Sequence, residues 1–532
     1  ERRSNKRSMS VKQLKNGYRR LLKVVWHCDI LLSFLFVFFI RYISQPFSHL
    51  TETRKMINSN FSRRSFLQTS ALAVASPLVV PSSVFGKDGN VAPSERITMG
   101  LIGCGSHGLG WNLPLMQKNP LQQVIAVCDI DQNYLAKGKQ RVDDFNSKTF
   151  GTNYKACDAY ADFRDLINRK DIDAVDIVTH DPWHVLMSVF AMKAGKDVIC
   201  EKPTLTIEEG KLLVKTQKET KRVFQTAGEV RSVDQFQQVV NLARNGHLGE
   251  IKNVKVLLPP GNRIDRDPLK RKLNFQEQEI PKHINYEMWT GPAPLLPYIP
   301  ARHHYNWRWN FAYSGGVITD WCPHMMNLAQ WVLDLDNSGP TEVTGTGTFP
   351  KADDVWNTAE DFNVKYKLAN GITLELTTEV AGIKVEGTKG WVLARGWREQ
   401  PLRASDEKLL EIKFDNSAPE LKNYGIPEST VRWQDRNWAG GEHIDFALRV
   451  KDRGECYYTP ESGHRTHTIA HIGNISMLLK QKYGKDVTLH WNPQLEKFES
   501  GYADEANSHA SFKREQREPW TFDKIDSWIN VG

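Results

Sequence analysis

A strand that ends in a glycine-rich turn constrains this chain more than any other feature. In ERITMGLIGCGSHGLG, Ile97 to Ile102 form a short apolar run, and Gly103, Gly105 and Gly108 follow in a G-x-G-x-x-G spacing that leads into a helix. The first glycine permits a tight turn, the second lets backbone approach a pyrophosphate, and the third lets helix pack close to strand. The helix start offers free N–H groups and positive dipole to phosphates. The spacing alone is common; its surroundings make it specific. QQVIAVCDID is a second apolar strand ending at Asp129, where an acidic side chain typically bonds the adenosine ribose and repels a 2′-phosphate. NAD is therefore favoured, with NADP possible; a helix cap in the turn is the structural alternative for Asp129. Pro114 predicts that the first helix is shortened or kinked.

The alternation continues. DAVDIVT reads as a strand, WHVLMSVFAMKAG as a helix, DVICEKP as a strand and loop, TIEEGKLLVKTQKET as a helix and RVFQTA as a strand. Strands separated by helices imply a doubly wound parallel sheet, with its ligand site at the carboxyl ends of the strands. This predicts an α/β Rossmann domain over residues 95–227. From residue 228 the pattern changes. The helix QFQQVVNLARNGHLG is followed by IKNVKVLL, TEVTGTGTF, DFNVKYKL, GITLELTTE, GIKVEG and GWVLARG. Successive β segments with short turns predict a mostly antiparallel open sheet in an α+β domain over residues 228–520. Residues 259–310, rich in Pro, Arg and aromatics, read as a long insertion.

Three stretches could carry chemistry. Glu201-Lys202-Pro203 falls at the carboxyl edge of the parallel sheet, where Pro203 fixes the turn. A lysine beside a positively charged nicotinamide would have its pKa lowered, which suits proton transfer to and from a hydroxyl. A salt bridge to Glu201 and a solvated loop lysine are the alternatives. In GGVITDWCPHMMNLAQW, Gly315 and Gly316 allow a close turn, and Asp320 and His324, four apart, share one helical face, with Pro323 placed in a first turn. In ARHHYNWRWNFAY, Trp307, Arg308 and Trp309 are candidates for a pocket wall, with buried core tryptophans as the alternative. No metal is expected. Pro323 argues against a strand that would align Asp320, Cys322 and His324, and His464, His467 and His471 lack an HExxH or paired cysteines.

The strand and G-x-G-x-x-G start, the THDPWH loop and the EKP turn together resemble the Gfo/Idh/MocA family, which includes glucose–fructose oxidoreductase and inositol dehydrogenase. The resemblance extends through LGEIKNVKV, GPAP, YNWRWNFAYSGGVITDWCPHMMNLAQWVL and ESGHRTHTIAHIGNISMLL, so it covers residues 95 to 520. It implies Lys202 as general acid/base, His324 as its proton-transfer or hydrogen-bonding partner, and Asp320 as the residue that orients them and bonds a substrate hydroxyl. It implies cofactor contacts at Gly103, Gly105, Ser106, His107, Gly108, Asp129, His184, Glu201 and Lys202. The substrate wall would hold Trp307, Arg308, Trp309 and Asn327, the last departing from the acidic residue that often stands there. It implies a dimer or tetramer. Three functions follow: an exported NAD(P)-dependent sugar or polyol oxidoreductase with tightly bound cofactor; a glycosidase that retains its NAD and works by transient oxidation and elimination; and a non-catalytic sugar-binding protein.

Upstream, NFSRRSFLQTSALAVASPLVV places Arg63 and Arg64 before a weakly apolar run, the form of a twin-arginine signal read by the export machinery. Residues 56–86 are expected to be that signal, cut near residue 86 to give a periplasmic or otherwise exported protein. Met56 suits an initiator, so residues 1–55 read as an upstream artefact or leader extension. Their apolar stretch ILLSFLFVFFI is shorter than the ~20 residues that span a bilayer. The formal net charge of +8 does not indicate nucleic acid. Residues 1–64 hold fourteen Lys/Arg against three Asp/Glu, which leaves the remainder mildly acidic. None of the seven cysteines forms a C-x-x-C pair; they read as small buried hydrophobes.

Overall fold

Six parallel strands realise the alternating pattern. β1 (Ile97–Ile102), β2 (Gln122–Cys128), β3 (Asp158–Tyr160), β4 (Ala174–Ile177), β5 (Asp197–Cys200) and β6 (Phe224–Thr226) lie in the order 3-2-1-4-5-6. β4 and β5 are buried along their whole length, as a sheet covered on both faces requires. The chain order reverses between β1 and β4, and a crevice opens there at the carboxyl ends. This computed structural model describes residues 91–150, 157–202, 204–261, 272–396, 400–414 and 441–529. The leader, its twin arginines, its cleavage point and Pro203 lie outside the described residues.

Pro114 shapes the first crossover as expected. A π-helical turn, Gly108–Asn112, precedes a short helix α1 (Leu113–Lys118), which carries the proline in its first turn. The longer helices of this layer are α2 (Gln132–Phe150), α3 (Asp181–Lys193) and α4 (Ile207–Thr220), and a short helix, Phe163–Ile167, joins β3 to β4. α4 starts on a capping box: the Thr206 hydroxyl accepts from Glu209 N–H at 3.2 Å and the Glu209 carboxylate accepts from Thr206 N–H at 3.1 Å. β3 was not expected. It is a three-residue edge strand with no buried run to announce it.

The second sheet comprises β7 (Ile251–Leu258), β8 (Glu342–Thr348), β9 (Asp361–Lys367), β10 (Thr373–Thr378), β11 (Gly382–Gly387), β12 (Gly390–Arg395), β13 (Arg403–Ala404), β14 (Thr488–Asn492) and β15 (Lys497–Glu499). Their order is 13-12-11-7-10-9-8-14-15, antiparallel except where β7 pairs with β10. Inward residues such as Val364, Tyr366, Leu374, Leu376, Ile383 and Val385 pack on α5 (Asp234–Arg244), α6 (Val317–Leu333) and α8 (Pro460–Tyr483). The alternate residues of the same strands face outward, which leaves the other side of the sheet open and polar.

α6 differs from expectation at Pro323. The helix begins at Val317, so the proline lies inside it rather than in its first turn. Asp320 and His324 still share a face, because the interval of four residues is unchanged. α7 (Gly441–Asp452) returns to the first domain, where Ile444, Phe446 and Leu448 join the core behind β1.

Within the insertion, residues 272–310 fold over the carboxyl edge of the parallel sheet. Asp131 and Ile284 form a β-bridge, Gln132 N–H donates to His283 C=O at 2.9 Å, and Asn285 N–H donates to Ile130 C=O at 3.1 Å. The C-terminal segment pins it from behind: the Arg517 guanidinium bonds the Glu287 carboxylate at 2.8 Å and the Trp520 indole N–H donates to it at 2.9 Å. Cys104, Cys128, Cys157, Cys200, Cys322 and Cys456 are free and buried, and burial pushes their thiols up.

Candidate active site

The glycine-rich turn sits at the crevice. Gly103 has φ +105°, and a Cβ there would lie 2.2 Å from Val178 C=O; one on Gly108 would lie 2.0 Å from Gly103 C=O. These two glycines are therefore demanded by the turn and by the helix–strand approach. Gly105 is different: nothing stands within 4 Å of a Cβ placed on it, because that position faces the open cleft. The structure thus leaves space for a pyrophosphate beside free backbone at the one glycine whose expected role is close approach. Ser106 and His107 line the same end of the cleft.

Asp129 borders the cleft, and both of its carboxylate oxygens accept backbone N–H groups, from Cys104 at 2.7 Å and Asp131 at 2.8 Å. It therefore caps the turn as well as facing the pocket. Burial raises its pKa to about 6, against the lowering effect of those two N–H groups.

Glu201 and Lys202 follow β5 into the cleft. Glu201 is buried and receives hydrogen bonds from His107 at 3.1 Å and Asn112 at 3.2 Å. Burial would raise its pKa, but His107, Lys202 and Asn112 hold it well below the usual carboxylate range. His184, in the first turn of α3, sends Nδ1 to Lys202 C=O at 2.7 Å and so fixes the turn's backbone. The Lys202 ammonium lies 3.8 Å from Glu201 and 3.8 Å from Asp320. Burial would lower its pKa; the charges of Asp320 and Glu201 outweigh burial and hold it above the ordinary lysine value. This is the reverse of the shift expected from a nicotinamide cation alone. In the free protein Lys202 is a charged donor.

The second domain supplies the facing wall. Gly316 has φ +85°, and a Cβ there would come within 2.6 Å of Thr358; this turn starts α6 close to the cleft. Asp320 in the first turn of α6 lines the cleft and accepts from Arg308 Nε at 3.0 Å. Arg308 and Lys202 keep its carboxyl below its usual value despite burial. The Arg308 guanidinium lies 4.3 Å from the ring centres of Tyr305 and Trp307. His324 lies one turn beyond Asp320, outside the cleft lining, with its Nδ1 3.6 Å from a Glu229 carboxylate oxygen. Burial and then the Lys202 charge push it down to about 3, so its ring is neutral.

Besides His324, two further sequence candidates lie away from the cleft. Trp309 turns into the core of the second domain among residues such as Trp356 and Phe362, and only Trp307 and Arg308 of the trio face the cleft. Successive residues of the 3₁₀ helix His304–Trp309 point in directions about 120° apart, so neighbours two apart diverge. Asn327 is fully buried; its carbonyl accepts from Arg231 Nε at 2.9 Å and its amide reaches Thr466 Oγ1 at 3.5 Å. It locks helices together and does not line the cleft. The three helical histidines have separate partners: His464 the Glu496 carboxylate at 2.9 Å, His467 the Gly463 carbonyl at 2.8 Å, and His471 the Thr204 carbonyl at 3.2 Å.

Other lining residues were not among the sequence candidates. His180 stacks on Trp289 with ring centres 4.7 Å apart, and burial pushes it down to about 3. Asp181 lines the cleft and is raised to about 7 by burial and the charge of Asp320. Tyr134 on α2 and His304 of the insertion meet at 4.9 Å across the far end. Asp181 sits in the THDPWH loop and could have been taken from it. Trp289 and His304 arrive from the insertion, which has no periodicity to place them.

Residues 97–227 match the family model described as the oxidoreductase family's NAD-binding Rossmann fold, and residues 236–401 match its C-terminal alpha/beta domain. Among curated proteins, the chain is 33% identical over 211 residues to Glycosyl hydrolase family 109 protein 2 of Shewanella sp. (strain ANA-3), covering 36% of this chain and 45% of that protein. A Glycosyl hydrolase family 109 protein of Saccharopolyspora erythraea is 29% identical over 206 residues, covering 36% and 44%. The chain thus matches less than half the length of these relatives. Among solved structures, levoglucosan dehydrogenase in complex with NADH and levoglucosan superposes with a TM-score of 0.53 at 17% identity, over 74% of this chain and 99% of that one. The WlbA dehydrogenase of Chromobactrium violaceum, in complex with NADH and UDP-GlcNAcA, gives 0.53 at 16% identity over 76% and 99%. At such identities these structures share the fold.

Proposed function

The chain belongs to the Gfo/Idh/MocA oxidoreductase family and carries an NAD-binding Rossmann domain, and from that premise we propose that it acts on a carbinol of a sugar or polyol by hydride transfer. One observation carries the reading. Lys202, at the carboxyl end of β5, shares a cleft with the glycine-rich turn and is ion-paired at 3.8 Å to Asp320 of the other domain.

The turn at Gly103, Gly105 and Gly108 would hold the pyrophosphate, and Asp129 the adenosine ribose. When bound, NAD supplies the hydride acceptor. Lys202 presents its ammonium to the carbinol oxygen, steadies negative charge there and exchanges the proton. Asp320, fixed by Arg308, aims that ammonium and can accept from a neighbouring hydroxyl. Trp307 offers an apolar ring to the flat face of a sugar. The aromatic insertion over the cleft favours a cofactor retained from one turnover to the next.

The glycosyl hydrolase names of the curated relatives favour a second reading: a glycosidase that ends each turnover with its NAD unchanged. Purified protein passed through gel filtration, then examined for a dinucleotide by mass and by absorbance near 340 nm, tests cofactor retention. Carbon-deuterated sugars separate the two readings. Deuterium found on NADH marks a dehydrogenase; aglycone release with deuterium returned to the same sugar carbon marks the glycosidase. Protein without dinucleotide that transfers no deuterium from any sugar would overturn both in favour of a sugar-binding scaffold.

We place the protein on the twin-arginine export route from Arg63 and Arg64; changing both to Lys should leave precursor on the cytoplasmic side in a fractionation experiment. The open face of the second sheet is proposed as the contact of a dimer or tetramer, which sedimentation would detect.

A further inference from the structure

Resting on the hydride-transfer reading above, we propose that Glu229 is a positioning residue and the terminal proton acceptor of this site, reached through His324. Glu229 opens the 3₁₀ turn Glu229–Ser232 immediately after β6, where the chain passes from the first domain to the second. Its side chain is 14% exposed and points at the inner nitrogen of a histidine that is itself 11% exposed. A carboxylate at this spot has no cation of its own at hydrogen-bond range among the described residues. Its nearest charged companions are Glu442 from α7, Lys202 and Glu201.

The charge balance of the cleft explains why such a residue is needed. Lys202 is already protonated in the free protein, held so by Asp320 and Glu201. Neutral His324 is too weak a base to keep a proton, because burial and Lys202 both oppose its charging. A carbinol that loses a hydride must also lose its O–H proton, and neither residue can store it. Glu229 can: burial and the neighbouring charge of Glu442 raise its carboxyl to about 7, so it can take up a proton near neutral pH. The step balances. With NAD bound, the C–H bond would give its electron pair and hydrogen to the nicotinamide. The O–H proton would pass to Lys202 Nζ as Lys202 hands one of its own to His324 Nε2 and the Nδ1 proton passes to Glu229, so Lys202 stays charged and the ring stays neutral. Reduction runs the same path backwards.

The buried surroundings hold this carboxyl in place. Glu442 leads α7 into the site's underside, and the next residue, His443, lies between Glu442 at 3.4 Å and Asp176 of β4 at 3.2 Å. Those two carboxylates outweigh burial and raise the His443 pKa to about 10. One buried imidazolium therefore offsets two buried carboxylates, and Glu229 is left as the carboxyl in that cluster without a fixed countercharge.

The test is Glu229→Gln, which keeps shape and hydrogen bonding but cannot take up a proton. With the natural substrate, oxidation by the wild type should fall as pH drops through about 7. In E229Q the kcat should fall on the order of 10²-fold and that acid limb should vanish, with NAD retention and KM near wild type. Asp181 also titrates near 7, and Glu201, Asp320, Lys202 and His107 face His324, so the limb is assigned by its loss in E229Q alone. A second measurement needs no turnover: ¹⁵N-histidine spectra should show the His324 signals shifting near pH 7 in wild type and not in E229Q. E229Q with kcat within twofold of wild type and the limb intact overturns the proposal. If E229Q folds poorly, Glu229→Asp decides: a displaced limb supports the relay and an unmoved one rejects it. His324 signals that titrate with Glu229 in a protein that transfers no hydride from any sugar would support the proton coupling and reject the function proposed above.

Discussion

The end of the cleft built by the glycine-rich turn of the first domain is shaped by backbone. A strand end, two conformationally demanding glycines and one open glycine shape it, and His184 and Asn112 fix its single reactive turn through short contacts. The wall given by the second domain is mostly side chain. Asp320, Arg308, Tyr305 and Trp307 reach the cleft from a helix start and a 3₁₀ turn, held to one another by the Arg308–Asp320 hydrogen bond and by the two rings that flank Arg308. A backbone wall must repeat the same few residue types wherever it is built. A side-chain wall can be assembled in many ways, so it recognises the substrate while the other holds the dinucleotide.

The sharpest way to break this comparison lies within the glycine turn. Gly103→Ala should abolish a folded first domain, since a left-handed backbone and a 2.2 Å clash with Val178 coincide there. Gly105→Val should leave the melting temperature unchanged and remove dinucleotide binding, because the added methyls fill open cleft. Thermal denaturation beside NAD titration reads both; a G105V protein that still binds NAD would place the pyrophosphate elsewhere.

Next in size is Lys202→Met, which keeps the stem and removes the charge. A rate loss of about 10³-fold with cofactor binding intact is expected, measured by steady-state kinetics and equilibrium binding. Full activity would mean that the backbone wall holds a cofactor but no chemistry.

The two tryptophans sharpen the contrast on the other wall. Trp309→Ala should cost about 3 to 5 kcal/mol of stability as a core deletion, with sugar affinity preserved in the folded fraction. Trp307→Ala should raise KM for the sugar about tenfold with a smaller change in melting temperature. Equal effects on affinity would return both residues to the cleft.

Asp129→Ala carries the smallest effect. NAD should weaken by about tenfold relative to NADP, because the ribose partner and the repulsion of a 2′-phosphate go together. A stability loss of about 1 kcal/mol should accompany it, since Cys104 and Asp131 lose their N–H acceptor. A protein that loses stability but keeps its NAD-to-NADP preference would reduce Asp129 to a cap.

What could be read from the sequence follows the same division. The parallel sheet, the glycine turn and the EKP turn were legible because local patterning and position determine them. The strands of the second sheet were legible from alternation, whereas the parallel pairing of β7 with β10 was not, since register between distant strands leaves no local mark. Asp320 was found through its glycine pair. Trp309 and Asn327 were assigned to the cleft from residue type alone, and type cannot tell a ring or amide in a cleft from one in a core. Glu229 could have been suspected: a carboxylate directly after the last strand of a parallel sheet stands where ligands bind.

The six buried thiols give the protein an internal clock. None offers a thiolate to a reagent while the fold is closed, so alkylation must wait for opening. Cys128 and Cys200 sit at the ends of β2 and β5, and Cys322 sits in α6. Mass spectrometry of the labelling order would therefore time the two domains separately in one sample. Added dinucleotide should slow the first pair, and added sugar should slow Cys322 as well.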